Sequence, residues 1–281
     1  MSVGILAHLL GRLPYKQLAD KVGRRDFDYV QLALSKAIAD VDCSLGKLSP
    51  GLGNEIGGAF ADNGAKIAVL GCYASLIELD DEVYRHNVNR FKEHLRNARH
   101  FGAPIVATEV GVPTHPDRLS EHKARLDRAL EELIEEADKW GVTIGLEAAQ
   151  RHLIDSAETL AESIEAYPSS TVGVVFDACN LLNPGNFSER DRVISEAVRL
   201  LGPRIVSVHA KDVVAGGGDG LEVVRVGRGQ IDYPTLWRLI EREKPHGFVT
   251  LEGVAETETA EAAGFVRTGR AEARGELGIP Q

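Results

Sequence analysis

The sequence predicts a single (β/α)8 barrel, and three observations carry that expectation. Short apolar, β-branched-rich runs recur along the chain, and eight can be counted. Longer segments, several with a clear helical apolar stripe, separate them. The 281 residues, 43% of them hydrophobic, suffice for eight such units with one core and no domain boundary. The strand runs are apolar on both faces, as parallel strands are when helices cover one side and a barrel interior the other.

The elements follow in order. The strands are expected at 3–7, 29–34, 66–71, 105–109, 142–147, 172–177, 205–209 and 248–252. Residues 36–64 contain Gly46, Pro50, Gly51, Gly53, Gly57 and Gly58 and predict a poor helix followed by a loop. Val88, Phe91, Leu95 and Ala98 mark a helix over 84–101, whose His86, His94 and His100 are expected to face solvent. Leu126, Leu130, Leu133 and Ala137 mark one over 120–140. Ser156 opens the next, with Glu158 in its first turn. Ser188 and Asp191 suggest a capping box before 193–201. Gly216 to Gly220 read as a flexible lid or hairpin, and Asp232-Tyr233-Pro234 starts a helix over 235–243. Trp140 and Trp237 are expected to pack, and residues 256–281 to form a polar C-terminal extension, one amphipathic helix with a frayed end.

Several classes are disfavoured. An open doubly wound sheet would normally carry a glycine-rich phosphate loop after its first strand, and Leu9-Leu10-Gly11-Arg12-Leu13-Pro14 is not one. A net charge of −10 opposes nucleic-acid binding. No apolar run is long enough for a membrane span. Met1-Ser2-Val3-Gly4-Ile5-Leu6 has no basic leader, and Cys43, Cys72 and Cys179 form no CxxC pair, which suggests a cytoplasmic protein with reduced thiols. The expected partner is a small molecule; a homo-oligomer is compatible with the sequence, but no surface is marked for it.

Barrels place their chemistry at the C-terminal ends of strands. Four successive strands end in an ionisable residue: Glu147, Asp177, His209 and Glu252. Buried carboxylates are costly unless paired or bound to a metal. Three carboxylates and an imidazole converging on one mouth suit a single divalent ion, with Mn²⁺, Co²⁺, Mg²⁺ and Zn²⁺ all chemically reasonable. The absence of thiolates argues against a structural zinc site. His8 ends the first strand, Glu109 the fourth, and Tyr73 follows the third, so each is a candidate substrate contact. Cys179 reads as a packing residue.

The stretches Gly145-Leu146-Glu147, Phe176-Asp177-Ala178-Cys179-Asn180-Leu181, Val208-His209-Ala210-Lys211-Asp212, Gly227-Arg228-Gly229-Gln230-Ile231-Asp232-Tyr233 and Leu251-Glu252 resemble the xylose-isomerase-like barrel superfamily. That superfamily includes ketose 3-epimerases, inosose dehydratase and, more distantly, endonuclease IV. The resemblance implies that Glu147, Asp177, His209 and Glu252 are the metal ligands and that Glu147 and Glu252 are also an acid–base pair. It implies an isomerase or epimerase acting on a sugar, ketose or related polyhydroxy carbonyl compound by proton abstraction beside a polarised carbonyl. Two departures weaken the ketose-epimerase match: Asn180 stands where those enzymes have histidine, and Ala215 where they have arginine. Asn180 can still hydrogen-bond a substrate hydroxyl. The His-x-Lys-Asp stretch is nearer the inosose-dehydratase type, with Lys211 and Asp212 as polyol contacts, so a metal-dependent dehydratase of a keto-polyol is the alternative. A non-catalytic sugar-binding barrel is a lesser one. The histidine set of endonuclease IV is missing.

Overall fold

Eight parallel strands close on themselves in the computed structural model, which describes residues 1–167, 169–216 and 220–280. The strands are β1 (Gly4–Leu6), β2 (Tyr29–Leu32), β3 (Lys66–Gly71), β4 (Ile105–Glu109), β5 (Thr143–Glu147), β6 (Val172–Asp177), β7 (Ile205–Ala210) and β10 (Phe248–Leu251). Their order round the barrel is β1-β10-β7-β6-β5-β4-β3-β2. An antiparallel hairpin, β8 (Asp212–Ala215) and β9 (Leu221–Val224), stands outside it after β7. Gly216 N donates to the Gly220 carbonyl oxygen at 3.0 Å, and the rest of the expected lid or hairpin, Gly217, Gly218 and Asp219, lies outside the described residues.

The helices are α1 (Tyr15–Arg24), α2 (Leu34–Ala37), α3 (Pro50–Asp62), α4 (Asp81–Asn97), α5 (Leu119–Trp140), α6 (Ala157–Glu165), α7 (Arg190–Leu201), α8 (Tyr233–Glu243) and α9 (Thr259–Leu277). Ser156 caps α6 in a capping box with Thr159, and Asp232 caps α8. No helix among the described residues is long and apolar enough to cross a membrane.

Four local expectations need correction. Residues 36–64 are not a helix followed by a loop but the reverse. Ser49 caps α3 and Pro50 occupies its first turn. The glycines that lower α3's propensity let it approach its neighbour: a Cβ on Gly53 would lie 2.7 Å from His100 Cβ, and one on Gly57 2.9 Å from the Phe101 carbonyl oxygen. His94 does not face solvent; it is 1% exposed, with Nδ1 2.8 Å from the Arg90 carbonyl oxygen. Ser188 and Asp191 form no capping box, since α7 starts at Arg190 without a side-chain cap. Residues 256–281 are more than a polar extension. In α9, Ala262, Ala263, Val266 and Ala273 are buried, and Phe265 packs edge-on against Tyr233 of α8. Trp237 is fully buried as expected, and Trp140 is half-buried.

Pairing register decides what the barrel encloses. Paired residues in a parallel sheet point to the same face, and successive residues alternate. Glu109 is level with Glu147, and Asp177 and Thr250 are level with His209. Ala107 pairs with Gly145 beneath Glu109 and Glu147, and Val175 pairs with Ser207 beneath Asp177 and His209. Gly145 has to be small, because a Cβ there would lie 2.9 Å from Val175 Cγ2. Tyr29, Ala68, Val69, Ile105, Ala107 and Val175 form an apolar plug below the polar layer. The interior is therefore apolar below this layer and ionisable at the mouth.

Candidate metal centre

Glu147 and Asp177 end β5 and β6, His209 is the last residue but one of β7, and Glu252 follows the last residue of β10. All three strand residues are at most 3% exposed; the Glu252 side chain, higher in the mouth, is 24% exposed. One ligand atom from each of the four lies within 4.8 Å of the other three. His209 Nδ1 is at their centre, 2.8 Å from Glu252 Oε2, 3.2 Å from Glu147 Oε1 and 4.0 Å from Asp177 Oδ2.

Each carboxylate is held differently. Asp177 Oδ1 accepts backbone N–H groups from Cys179 (2.8 Å) and Asn180 (3.1 Å), so the turn after β6 fixes it. Asp177 Oδ2 is buried and accepts no hydrogen bond, although Lys211 Nζ lies 3.3 Å away. Glu147 Oε1 accepts from Asn180 Nδ2 at 2.9 Å. Lys211 Nζ donates to Asn180 Oδ1 (2.9 Å) and Glu252 Oε1 (3.1 Å).

These surroundings separate the groups electrostatically. Burial pushes Glu147 up to about 7 despite the neighbouring imidazole. Burial would also raise Glu252, but the charges and hydrogen bonds of His209 and Lys211 outweigh it and hold that carboxyl well below its usual range. Burial raises Asp177, with Lys211 opposing. For His209, burial favours the neutral ring, yet Glu147 and Glu252 together drive its pKa far above the ordinary value. Near neutral pH the centre thus retains protons on His209 and, in part, on Glu147.

The donor set fits a divalent cation. Carboxylate oxygens and an imidazole nitrogen are ligands for such ions, and the atoms are close enough to share one. Asp177 Oδ2 is a buried acceptor that a cation would satisfy. The residues that would hold it are Glu147, Asp177, His209 and Glu252.

The other sequence candidates divide. Asn180 and Lys211 belong to the cluster. Tyr73 adjoins it through Gln31, whose Nε2 donates to the Tyr73 hydroxyl oxygen at 2.7 Å. Lys36 Nζ sits 3.9 Å from the centroid of the Tyr73 ring. His8 is in the 3-10 turn after β1 rather than in the strand; its Nδ1 is buried without a partner, and burial, then Lys36, lowers its pKa. Glu109 stands at the rim, 3.7 Å from His152 Nε2. Asp212 does not join the gathering. Its side chain turns away and accepts backbone N–H groups from Val213, Gly227, Gly229 and Ile231, pinning the loop before α8. A Cβ on Gly229 would collide with that carboxylate. Cys179 packs as expected, its thiol against the Lys211 carbonyl.

One residue escaped the sequence reading. Gln31, 1% exposed in β2, places Oε1 3.0 Å from His209 Nε2. Its signal was available: a single amide inside the apolar run Tyr29-Val30-Gln31-Leu32.

A cavity of about 730 Å³ opens at the other end of the barrel, where Asp26, Asp28, Lys66, His246 and Arg267 line it. Arg267 is already paired there with Asp26 and Asp28. Residues at that end of a barrel usually serve stability.

Comparison with known proteins agrees with the fold. A family model described as xylose isomerase-like TIM barrel matches residues 18–269. A search of curated protein sequences returned no match. Among solved structures, a D-tagatose 3-epimerase-like protein superimposes with a TM-score of 0.79 at 19% identity, over 99% of this chain and 100% of that one. A 3-keto-D-glucoside 4-epimerase from E. coli gives 0.74 at 16% identity, over 95% and 99%. An IolI protein with a bound zinc atom gives 0.73 at 18% identity, over 97% of this chain and 98% of that one. At such identities the superpositions speak for the fold alone, but the family model spans most of the sequence, and the chain belongs to the xylose isomerase-like TIM barrel family.

Proposed function

We propose that this protein is a divalent-metal-dependent isomerase or epimerase of a sugar, ketose or related polyhydroxy carbonyl compound. The observation that carries the reading is the closed set Glu147, Asp177, His209 and Glu252, with Asp177 Oδ2 buried and unsatisfied. The epimerase names of two structural neighbours and the zinc atom of a third are consistent with it. An ion such as Mn²⁺, Co²⁺, Mg²⁺ or Zn²⁺ held there supplies a Lewis acid that acidifies the C–H beside a carbonyl.

The chain's own groups then move the proton. Glu252 is the most exposed of the four and faces the mouth, so it is the acceptor. Glu147, the other carboxylate of the pair, returns a proton to the opposite face. They come from β5 and from the end of β10, with β6 and β7 between them, so a substrate seated in the mouth meets one on each side. Asn180 bonds Glu147, and Lys211 bonds Glu252; both also offer polar atoms to substrate hydroxyls. Burial on every side excludes bulk water from Glu147.

Loss of water after the same abstraction is the second reading, favoured by Lys211 in contact with Asn180. A dehydratase needs an acid for the departing hydroxyl. Lys211 is a poor one, because the charges of Asp177 and Glu252 outweigh burial and raise its pKa. Glu147 remains the proton source for either reaction. Metal-loaded protein incubated in D₂O with ketoses, aldoses, inososes and their phosphates tests both. Deuterium entering the carbon beside a carbonyl is expected with at least one compound, and water loss would identify a lyase. No exchange with any of them would leave a sugar-binding barrel.

A further inference from the structure

Resting on the metal reading above, we infer that Gln31, anchored by Tyr73, is the positioning residue that fixes the tautomer in which His209 can act as a ligand. The geometry is directional. His209 turns Nδ1 toward Glu147, Glu252 and Asp177 and Nε2 toward Gln31 Oε1 at 3.0 Å. A nitrogen can bind a cation only through a free lone pair, so the remaining ring proton must sit on Nε2. It then needs an acceptor in a place with no water, since Gln31 and His209 are 1% and 2% exposed. Gln31 Oε1 is that acceptor.

A primary amide could turn over and offer its NH₂ instead, which would stabilise the opposite tautomer and put the proton on Nδ1. Tyr73 opposes this. Gln31 Nε2 donates to the Tyr73 hydroxyl oxygen at 2.7 Å, so the oxygen end of the amide stays on His209. The ring of Tyr73 is held in turn by Gly71, where a Cβ would stand 2.8 Å from Tyr73 Cε2. The three groups form a relay, Tyr73 to Gln31 to His209, running across β2 from the loop after β3 to the end of β7. Partners that orient ligating histidines typically contribute about 10- to 100-fold in metal affinity.

The test uses Zn²⁺ alone, titrated against a chromophoric chelator, on the full chain. Gln31→Met keeps the length and removes both hydrogen bonds; its Zn²⁺ affinity is expected to fall about 10- to 100-fold. Gln31→Glu restores an acceptor for Nε2–H and is expected to bind no more weakly than the wild type. Tyr73→Phe should weaken binding a few-fold in the wild type and not at all in the Gln31→Met background, because its influence passes through the amide. Nitrogen-15 chemical shifts of His209 in the Zn²⁺-loaded protein should report a protonated Nε2. Wild-type Zn²⁺ affinity in Gln31→Met, additive effects of the two substitutions, or a protonated Nδ1 would each overturn the inference while leaving the metal centre standing. A wild type that takes up no Zn²⁺ would remove both.

Discussion

Two clusters of buried charge stand in this barrel, and they are built to opposite rules. Between α8 and α9, Glu241 is fully buried and accepts from Arg270 Nε (2.5 Å) and Arg274 Nε (2.7 Å). The guanidinium groups donate onward to the carbonyl oxygens of Ser2 and Pro280. Both carboxylate oxygens have a charged partner. At the mouth, three carboxylates crowd round one imidazole and one ammonium, and Asp177 Oδ2 remains without a hydrogen bond. The first cluster is complete with protein atoms alone and fastens the last helix to the barrel. The second leaves a buried carboxylate oxygen without a hydrogen bond among the described residues, a position where a cation would add a partner. Burial of charge does not by itself distinguish scaffold from site; completeness of partnering does.

The largest difference between the clusters should appear in turnover. Glu147→Gln and Glu252→Gln remove the proton donor and acceptor, so rates on the compound found by exchange should fall about 10²- to 10⁴-fold with the fold intact. Near-normal activity in either variant would remove that glutamate from the mechanism. Stability should respond in the reverse pattern. Glu241→Gln leaves two buried guanidinium groups facing a neutral amide and should cost about 3–5 kcal/mol in denaturant unfolding. Asp177→Asn, in metal-free protein, should cost far less, because it relieves carboxylate crowding. Equal losses would erase the distinction between scaffold and site.

A smaller effect sharpens where the boundary runs. Asp212 is next to Lys211 in sequence but belongs to the scaffold, so Asp212→Asn should lower stability by about 1–3 kcal/mol through its lost backbone acceptors. Metal stoichiometry should stay that of the wild type; a lost metal would return Asp212 to the site. The pH dependence follows from the raised pKa values of Glu147, at about 7, and of His209. A cation must displace those protons, so affinity should rise with pH through 7, by about tenfold per pH unit for each proton released. Without metal the sign reverses for stability. Glu147 titrates higher in the folded chain than at its ordinary 4.5, so its contribution is present below that value and lost as pH rises through about 7. Calorimetric titrations at several pH values would expose a pH-independent affinity, which would mean that no proton leaves.

The fold was legible because a parallel barrel writes itself as apolar runs separated by helical ones, and the four clustered residues because each ends such a run. The losses have physical causes. Asp212 is a substrate contact only on the resemblance of the His-x-Lys-Asp stretch, whereas alternation from His209 sends Lys211 to the mouth and Asp212 to the other side. His94 falls on the apolar stripe with Phe91 and Ala98, three and four residues away, and its buried place could have been read there. Gln31 lies inside a strand rather than at its end, so looking only at strand ends passes over it, although one amide in an apolar run marks it. In α3, close packing overrode the low helix propensity of its glycines.

The most direct measurement is elemental analysis of protein purified without chelators, beside Asp177→Asn and His209→Ala. About one divalent ion per wild-type chain is expected, as a four-ligand set implies, with loss of the ion in His209→Ala and weakened retention in Asp177→Asn. A wild-type chain that carries no ion, takes none up from solution and is fully active without it would contradict the metal centre.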